Sequence, residues 1–435
     1  MNPGDCDVAI IGAGASGLTA AGELARAGKS VRLLEATGRA GGRILTIHDP
    51  QAQAPIELGA EFVHGKPPQI FDIIRSAGLT AYEHTSRALH VDHGRFLAEK
   101  EVGEISDRVF SGMSKSAGRK DESFEAFLGR SHLPRDVKSW ARVHIEGFNA
   151  ARKELISVRS LRQDAQAAGE IEGDRAFRIL AGYDSLIHFL LRSIPDHTSV
   201  VSLNSVVERV EWQRGKVTVH FRSALDNRKG KLRCSQLIVS VPLGVLQAAE
   251  PSRGAIQFDP EPKGVRKAAR ALEFGQVYRV TLRFDQPFWE SDERLNGIGF
   301  IISRENVFPT WWTNHPILSP LITGWSAGPA ADPLLGADQT VVISEALSSL
   351  GRILTRKIPR PQAAYFHDWH ADPFFRGAYS YVPVNALPAR QFLTRSVDGT
   401  LFFAGEATDT TGHGGTVHGA IASGIRVANQ IQRAI

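Results

Sequence analysis

A short apolar run, Asp7-Val-Ala-Ile-Ile11, opens directly into Gly12-Ala-Gly14-Ala-Ser-Gly17, and this junction constrains the fold more than any other stretch of the chain. The run is rich in β-branched residues, as a buried parallel strand requires. Leu18 to Gly28 then shows helical periodicity with many alanines, and Gly28 stands where a glycine ends a helix. Ser30-Val-Arg-Leu-Leu34 reads as a second strand, and Glu35 lies 23 residues beyond Gly12. In this order Gly12 permits the tight turn, Gly14 lets the backbone approach a pyrophosphate, and Gly17 lets the helix pack on the strand. Ala13 and Ser16 share the turn, where the helix start offers free N–H groups and partial positive charge to phosphates. Glu35 would accept hydrogen bonds from ribose hydroxyls and repel a 2′-phosphate. Alone, such a glycine pattern is only a turn. Between two strands, with the acid at this distance, it predicts dinucleotide binding.

Arg39-Ala-Gly41-Gly42-Arg43 follows the second strand. A nicotinamide site has no need of two more glycines and two arginines there, whereas a longer cofactor gripped from a second side does. The other reading is a solvated basic turn. In Ile56-Glu-Leu-Gly59-Ala60-Glu61-Phe62-Val-His64-Gly65, small residues again permit close backbone approach.

The 435 residues suffice for two or three domains. The 51 basic and 46 acidic side chains leave a net +5, but they interleave, which argues against a nucleic-acid partner. Cys6 and Cys234 are far apart and form neither a CxxC nor a zinc pattern, so no disulfide scaffold and no metal are expected. Scarce cysteine fits a reducing compartment. No apolar run approaches the roughly 20 residues of a membrane span. The polar lead-in from Met1 to Asp7 leaves no room for a signal peptide, and Ile435 ends the chain without a hydrophobic tail. A soluble, cytoplasmic protein without a membrane partner is the expectation.

Further blocks follow: Leu203-Asn-Ser-Val-Val207, Val239-Ser-Val-Pro-Leu-Gly-Val-Leu246, Phe284 to Trp289, Trp369-His-Ala-Asp-Pro-Phe-Phe-Arg-Gly-Ala-Tyr-Ser-Tyr381, and Leu401-Phe-Phe-Ala-Gly-Glu406 to Ser423. Together with the N-terminal motifs, they make the chain resemble the flavin-containing amine oxidases over nearly its whole length. That family takes in monoamine oxidases, polyamine oxidases and lysine-specific histone demethylases, and the last two blocks resemble the latter two branches more. The resemblance implies an α/β, two-domain FAD-dependent amine oxidase fold, with a Rossmann-like FAD domain and a mixed α+β substrate domain. It implies an FAD domain assembled from residues 1–85, 196–260 and 395–435. The substrate domain would comprise a helical part, 86–195, and a sheet part, 261–394. It also implies that Glu35 holds the adenosine ribose, Arg43 the pyrophosphate, and the Val207 backbone the adenine. Gly59, Ala60, Glu61 and Phe62 line the cofactor, and Trp369 packs near the flavin. Gly405 and Glu406 meet the ribityl–phosphate region, and the backbone of Thr416 and Val417 meets the flavin ring. Glu406 could equally cap the alanine-rich helix read over Gly419 to Gln430.

The implied reaction removes a hydride from the carbon beside a neutral amine, with imine hydrolysis and reoxidation by oxygen to hydrogen peroxide. At an alkylamine pKa near about 10.4, roughly one molecule in 2,500 is neutral at pH 7, so full deprotonation needs about 4.6 kcal/mol. An apolar aromatic pocket supplies this by desolvation. By the resemblance, Tyr379 is one wall of an aromatic cage and Thr416 replaces the other. Ala378 stands where monoamine oxidases attach FAD through cysteine, so FAD is expected to bind non-covalently. Arg279 stands where the family carries a lysine that holds a water near the flavin; arginine keeps the charge but only donates. The alternative placement of Arg279 is a surface strand. His64 and His413 are read as loop residues rather than substrate contacts.

A small-molecule amine and oxygen are the partners expected. Histone demethylation is not expected, because no inserted helical tower is seen. Oligomeric state is unreadable. Two other readings stay open: an FAD-dependent dehydrogenase or desaturase of a non-amine substrate, and a non-catalytic escort protein on the same fold.

Overall fold

A computed structural model describes residues 6–84, 87–92, 94–97, 109, 112–114, 120–305 and 307–433. The N-terminal lead-in before Cys6, most of the charged stretch 98–119 and the C-terminal Ile435 lie outside these residues.

Two large sheets organise the chain. The first has eight strands, ordered Val201–Ser202, Val31–Leu34, Cys6–Ile11, Lys229–Val239, Lys216–Ser223, Ser205–Gln213 and Gln257–Asp259, with Leu401–Phe403 pairing parallel to Lys229–Val239. Strands from the beginning, middle and end of the sequence therefore meet at one place. The central strands are apolar on both faces, since Val8, Ile10, Leu237 and Ile238 are fully buried. Helix Ala15–Arg26 covers one face beside helix Val417–Arg433, with Leu18, Leu24, Val427 and Ile431 in a common core. Each fully buried leucine there contributes about 2 kcal/mol. The two helices approach closely because residue 424 is glycine: a Cβ there would lie 2.4 Å from the Ser16 carbonyl oxygen.

The second sheet has seven strands, ordered Ala363–Phe366, Val277–Arg283, Leu321–Ala327, Thr310–Thr313, Ile298–Ser303, Arg87–Asp92 and Arg95–Leu97. The last two are strands within the 86–195 part expected to be helical. The hairpin Arg87–Leu97 instead extends this sheet, parallel to Ile298–Ser303, because an alternating strand needs a partner edge. Helices Phe124–Arg130, Arg135–Asn149, Val158–Glu170 and Asp184–Arg192 follow. Strand Ala176–Ile179 bridges Val63–His64 and Ala81–Glu83 in a three-stranded sheet.

Cys6 and Cys234, unrelated in sequence, are register partners on adjacent parallel strands, and both are free thiols. Among the described residues no helix is long and apolar enough to cross a membrane.

Candidate active site

The glycine turn leaves an open backbone surface at the start of a helix. Helix Ala15–Arg26 starts at Gly14 with no side chain capping it, and a Cβ on Gly14 would meet nothing within 4 Å. Gly12 has φ +103°, and a Cβ on Gly17 would lie 2.0 Å from the Gly12 oxygen. The second glycine pair closes on the first. Gly41 N donates to Ala13 O at 2.8 Å, and Gly42 has φ +59° against the Gly14 backbone. Glu35 is buried, and its Oε2 accepts from Ala13 N at 2.8 Å while Oε1 accepts from Thr37 N and Oγ1. Val207 lies just beyond Ser205, whose N donates to Glu35 O at 2.7 Å.

A second group joins distant segments. Arg43 Nη1 donates to Ala378 O at 2.6 Å and to Glu406 Oε1 at 2.9 Å. Glu406 Oε2 also accepts from Ser380 Oγ at 2.6 Å and Gly415 N at 3.0 Å. Burial alone would raise the Glu406 pKa, but Arg43 and these donors hold it below the usual carboxylate range. The last helix is capped by Thr416, whose Oγ1 accepts from Gly419 N at 3.0 Å, so the cap role left open for Glu406 belongs to Thr416. Trp369 is buried and donates from Nε1 to Leu58 O at 2.8 Å.

A third group surrounds Arg279. Far from a surface strand position, it is 4% exposed on strand Val277–Arg283. Its Nη1 donates to Gly59 O at 2.8 Å and its Nη2 is ion-paired with Glu61. Glu61 also pairs with Arg178 and accepts from Trp312 Nε1 at 3.0 Å. Burial would raise the Glu61 pKa, and the two arginines hold it down. The Glu61 carboxylate is thus engaged by the protein itself. Arg178 was missed by sequence reasoning, since nothing local marks it.

All three groups border one cavity of about 1700 Å³. Its lining takes in Gly12, Gly14, Ser16, Glu35, Arg43, Gly59, Ala60, Glu61, Phe62 and Val207. It continues over Arg279, Trp369, Tyr379, Gly405, Glu406, Thr416 and Val417. Ala13 and Gly17 lie outside the lining and shape the turn through their backbones. Aromatic walls come from Phe62, Phe148, Phe300, Trp312, Trp325 and Tyr379. Tyr379 OH donates to Phe148 O at 2.7 Å, which fixes the ring, and burial pushes its pKa up, so the phenol stays protonated. His64 belongs to a strand, not a loop, and borders the cavity. Burial lowers the pKa of His64 to about 4 and that of His418 to about 3, so both imidazoles are neutral at pH 7. His413 is absent from the lining. Asp164 lines the cavity as well, its pKa raised by burial to about 7 despite Arg390 nearby.

The volume exceeds the roughly 1,000 Å³ upper range of ordinary ligand pockets, leaving room for a long cofactor beside a substrate. An uncapped helix start, an open Gly14 and a buried acid set at the end of the second strand fit FAD. Neither cysteine is in the lining and Ala378 is, so no cysteinyl link to the group is available. Among the described residues no cluster is placed to hold a metal.

A family pattern described as flavin containing amine oxidoreductase matches residues 15–432. Lysine-specific histone demethylase 1 homolog 2 of Oryza sativa subsp. japonica is 29% identical over 98% of this chain and 57% of its own length. Probable polyamine oxidase 4 of Arabidopsis thaliana is 26% identical over 98% of this chain and 87% of its own. The chain thus spans little more than half the length of the rice demethylase homologue. Two solved structures share the fold over 99% of both chains: putrescine oxidase bound to putrescine, with TM-score 0.81 at 22% identity, and cyclohexylamine oxidase from Brevibacterium oxydans, with TM-score 0.81 at 19% identity. With the family pattern covering nearly its whole length, this chain belongs to the flavin-containing amine oxidoreductases.

Proposed function

We propose that the protein is an FAD-dependent amine oxidase acting on a small amine that enters the cavity unprotonated. The observation that carries this reading is the continuity of one cavity from the glycine turn and Glu35 to the aromatic walls around Tyr379. FAD, when bound, supplies the two-electron acceptor for the C–H bond beside the amine nitrogen and passes the electrons to oxygen as hydrogen peroxide, the imine hydrolysing to a carbonyl. Gly12, Gly14, Glu35, Arg43 and Val207 would hold it, with Trp369, Glu406, Thr416 and Val417 around its far half. The chain's own contribution is orientation and charge. Tyr379, Trp312 and Trp325 exclude water and disfavour the ammonium form. His64 and His418, kept neutral by burial, add no charge of their own. Arg279 holds positive charge at the Gly59 carbonyl and accepts no proton.

Incubating the purified protein in air with a panel of amines tests this. One peroxide and one carbonyl product per amine consumed is the expected result; amine loss without peroxide, or no amine loss, counts against it. A second reading, in which an acceptor other than oxygen reoxidises the flavin, is favoured by one observation: the residue at the family's lysine position is an arginine whose two Nη atoms are held by Gly59 O and Glu61. In that case a redox dye restores turnover that oxygen does not.

A further inference from the structure

Two cations and one anion are buried together where the two parts of the molecule meet. Arg279 comes from the seven-stranded sheet, Arg178 from strand Ala176–Ile179, and Glu61 from the segment leading into Val63–His64. Their side chains are 4%, 6% and 7% exposed. Glu61 Oε2 pairs with Arg279 and Oε1 with Arg178, so the carboxylate is divided between the two guanidinium groups. Each guanidinium also lies over an aromatic ring, Arg178 4.9 Å from the Phe62 centroid and Arg279 5.3 Å from that of Trp312. Phe62, Trp312, Glu61 and Arg279 line the cavity, whereas Arg178 stands behind Phe62.

The other groups facing the cluster add no charge at pH 7. Glu57 has its pKa raised to about 8 by burial and is protonated. His84 has its pKa lowered to about 4, chiefly by burial, and is neutral. Tyr82 has its pKa raised by burial and keeps its proton. With Arg279 and Glu61 alone the site would be neutral; with Arg178 it carries one uncompensated positive charge. A buried excess charge of this kind is costly, so its retention calls for a role beyond the stacking of Arg178 on Phe62.

We propose that Arg178 is a positioning residue that cancels the charge of Glu61, so that Arg279 presents a net positive charge to the substrate cavity and the cavity rejects the ammonium form of its amine. The proposal rests on the amine-oxidising reading and names its charge selectivity. The cavity takes the neutral amine both by desolvation in its aromatic walls and by direct repulsion of the cation. Arg178 does this without touching the substrate.

The test uses the flavin-loaded protein and two non-reacting probes of equal shape, benzyltrimethylammonium and its uncharged carbon isostere neopentylbenzene. Affinity is read from the perturbation of the flavin absorbance spectrum, without turnover. Wild type should bind the uncharged probe more tightly than the cation. Arg178→Gln should improve cation affinity about tenfold, the order expected for one unit charge in a partly screened site. Uncharged-probe affinity should stay constant, and Arg178→Lys should behave as wild type. Glu61→Gln adds positive charge and should weaken the cation about tenfold, the opposite sign. Loss of packing would weaken both probes in both variants, and that pattern, or equal cation affinity in all four proteins, overturns the proposal. Should Arg178→Gln fail to fold, Glu61→Gln and Arg178→Lys still decide by sign. A cavity that discriminates charge as stated but oxidises no amine would defeat the functional reading and leave the charge assignment standing.

Discussion

Arg43 and Glu406 form an ion pair at 2.9 Å between the first and last segments of the chain, and the same Arg43 nitrogen also donates to the Ala378 carbonyl at 2.6 Å. One guanidinium thereby ties the glycine-rich Arg39–Arg43 element to the residue before strand Tyr379–Tyr381 and to the turn before the last helix. The glycine turn and the aromatic walls of the cavity share this anchor.

Glu406→Gln keeps the shape but leaves Arg43 without its charge partner. Breaking a buried pair on one side costs about 3 kcal/mol, less here because Arg43 is 24% exposed. A melting temperature lower by several degrees and flavin lost at least tenfold more readily on dilution are expected. Thermal melts and flavin release measure them; unchanged values would show that the pair does not couple the segments.

Gly59 is a point of close backbone approach in the cavity wall. A Cβ there would lie 1.9 Å from the Arg43 oxygen and 3.3 Å from Trp369. Gly59→Ala must move the backbone of Arg43, at a cost of about 3 kcal/mol or more. Colourless or insoluble protein is expected; a yellow, soluble Gly59→Ala protein with normal flavin affinity would contradict the close approach.

Glu57 is buried, accepting from Thr46 Oγ1 at 2.6 Å and Tyr183 N at 2.8 Å, and burial raises its pKa from 4.5 to about 8. Between those values the folded protein holds a proton that the unfolded chain has released. Stability contributed by Glu57 is therefore full below about pH 4.5 and declines as pH rises toward 8, by a few kcal/mol at most. Urea midpoints should fall over this range in wild type and fall less in Glu57→Gln, which has no proton to lose. Parallel curves would show that Glu57 is ionised in the fold.

Arg279→Lys exchanges a forked donor for a single ammonium, which reaches either Gly59 O or Glu61 but not both in the same geometry. Rapid-reaction measurement should show the oxygen step changing at least several-fold, while charge in the cavity is kept. Identical reduction and oxygen kinetics would mean that the arginine has no influence on reoxidation.

The strand–turn–helix at the N-terminus was legible because its apolar run, glycines and helix follow one another directly in sequence: Cys6–Ile11, Ala15–Arg26 and Val31–Leu34 fall within a residue or three of their expected places. Glu35 was found from its spacing, although its bonds to Ala13 and Thr37 show that it also builds the turn. Arg178 was invisible because its partner Glu61 becomes a neighbour only when Ala176–Ile179 pairs with Val63–His64. The Arg87–Leu97 hairpin escaped for a similar reason: its partner strand, Ile298–Ser303, is far along the chain. His64 was placed in a loop because a two-residue strand has no periodicity to read.

Anaerobic titration of the flavin absorbance with a panel of amines tests the central claim most directly. Stoichiometric bleaching by one class of amine is the predicted result and would identify the substrate. A yellow protein that no amine bleaches would contradict amine oxidation by this chain.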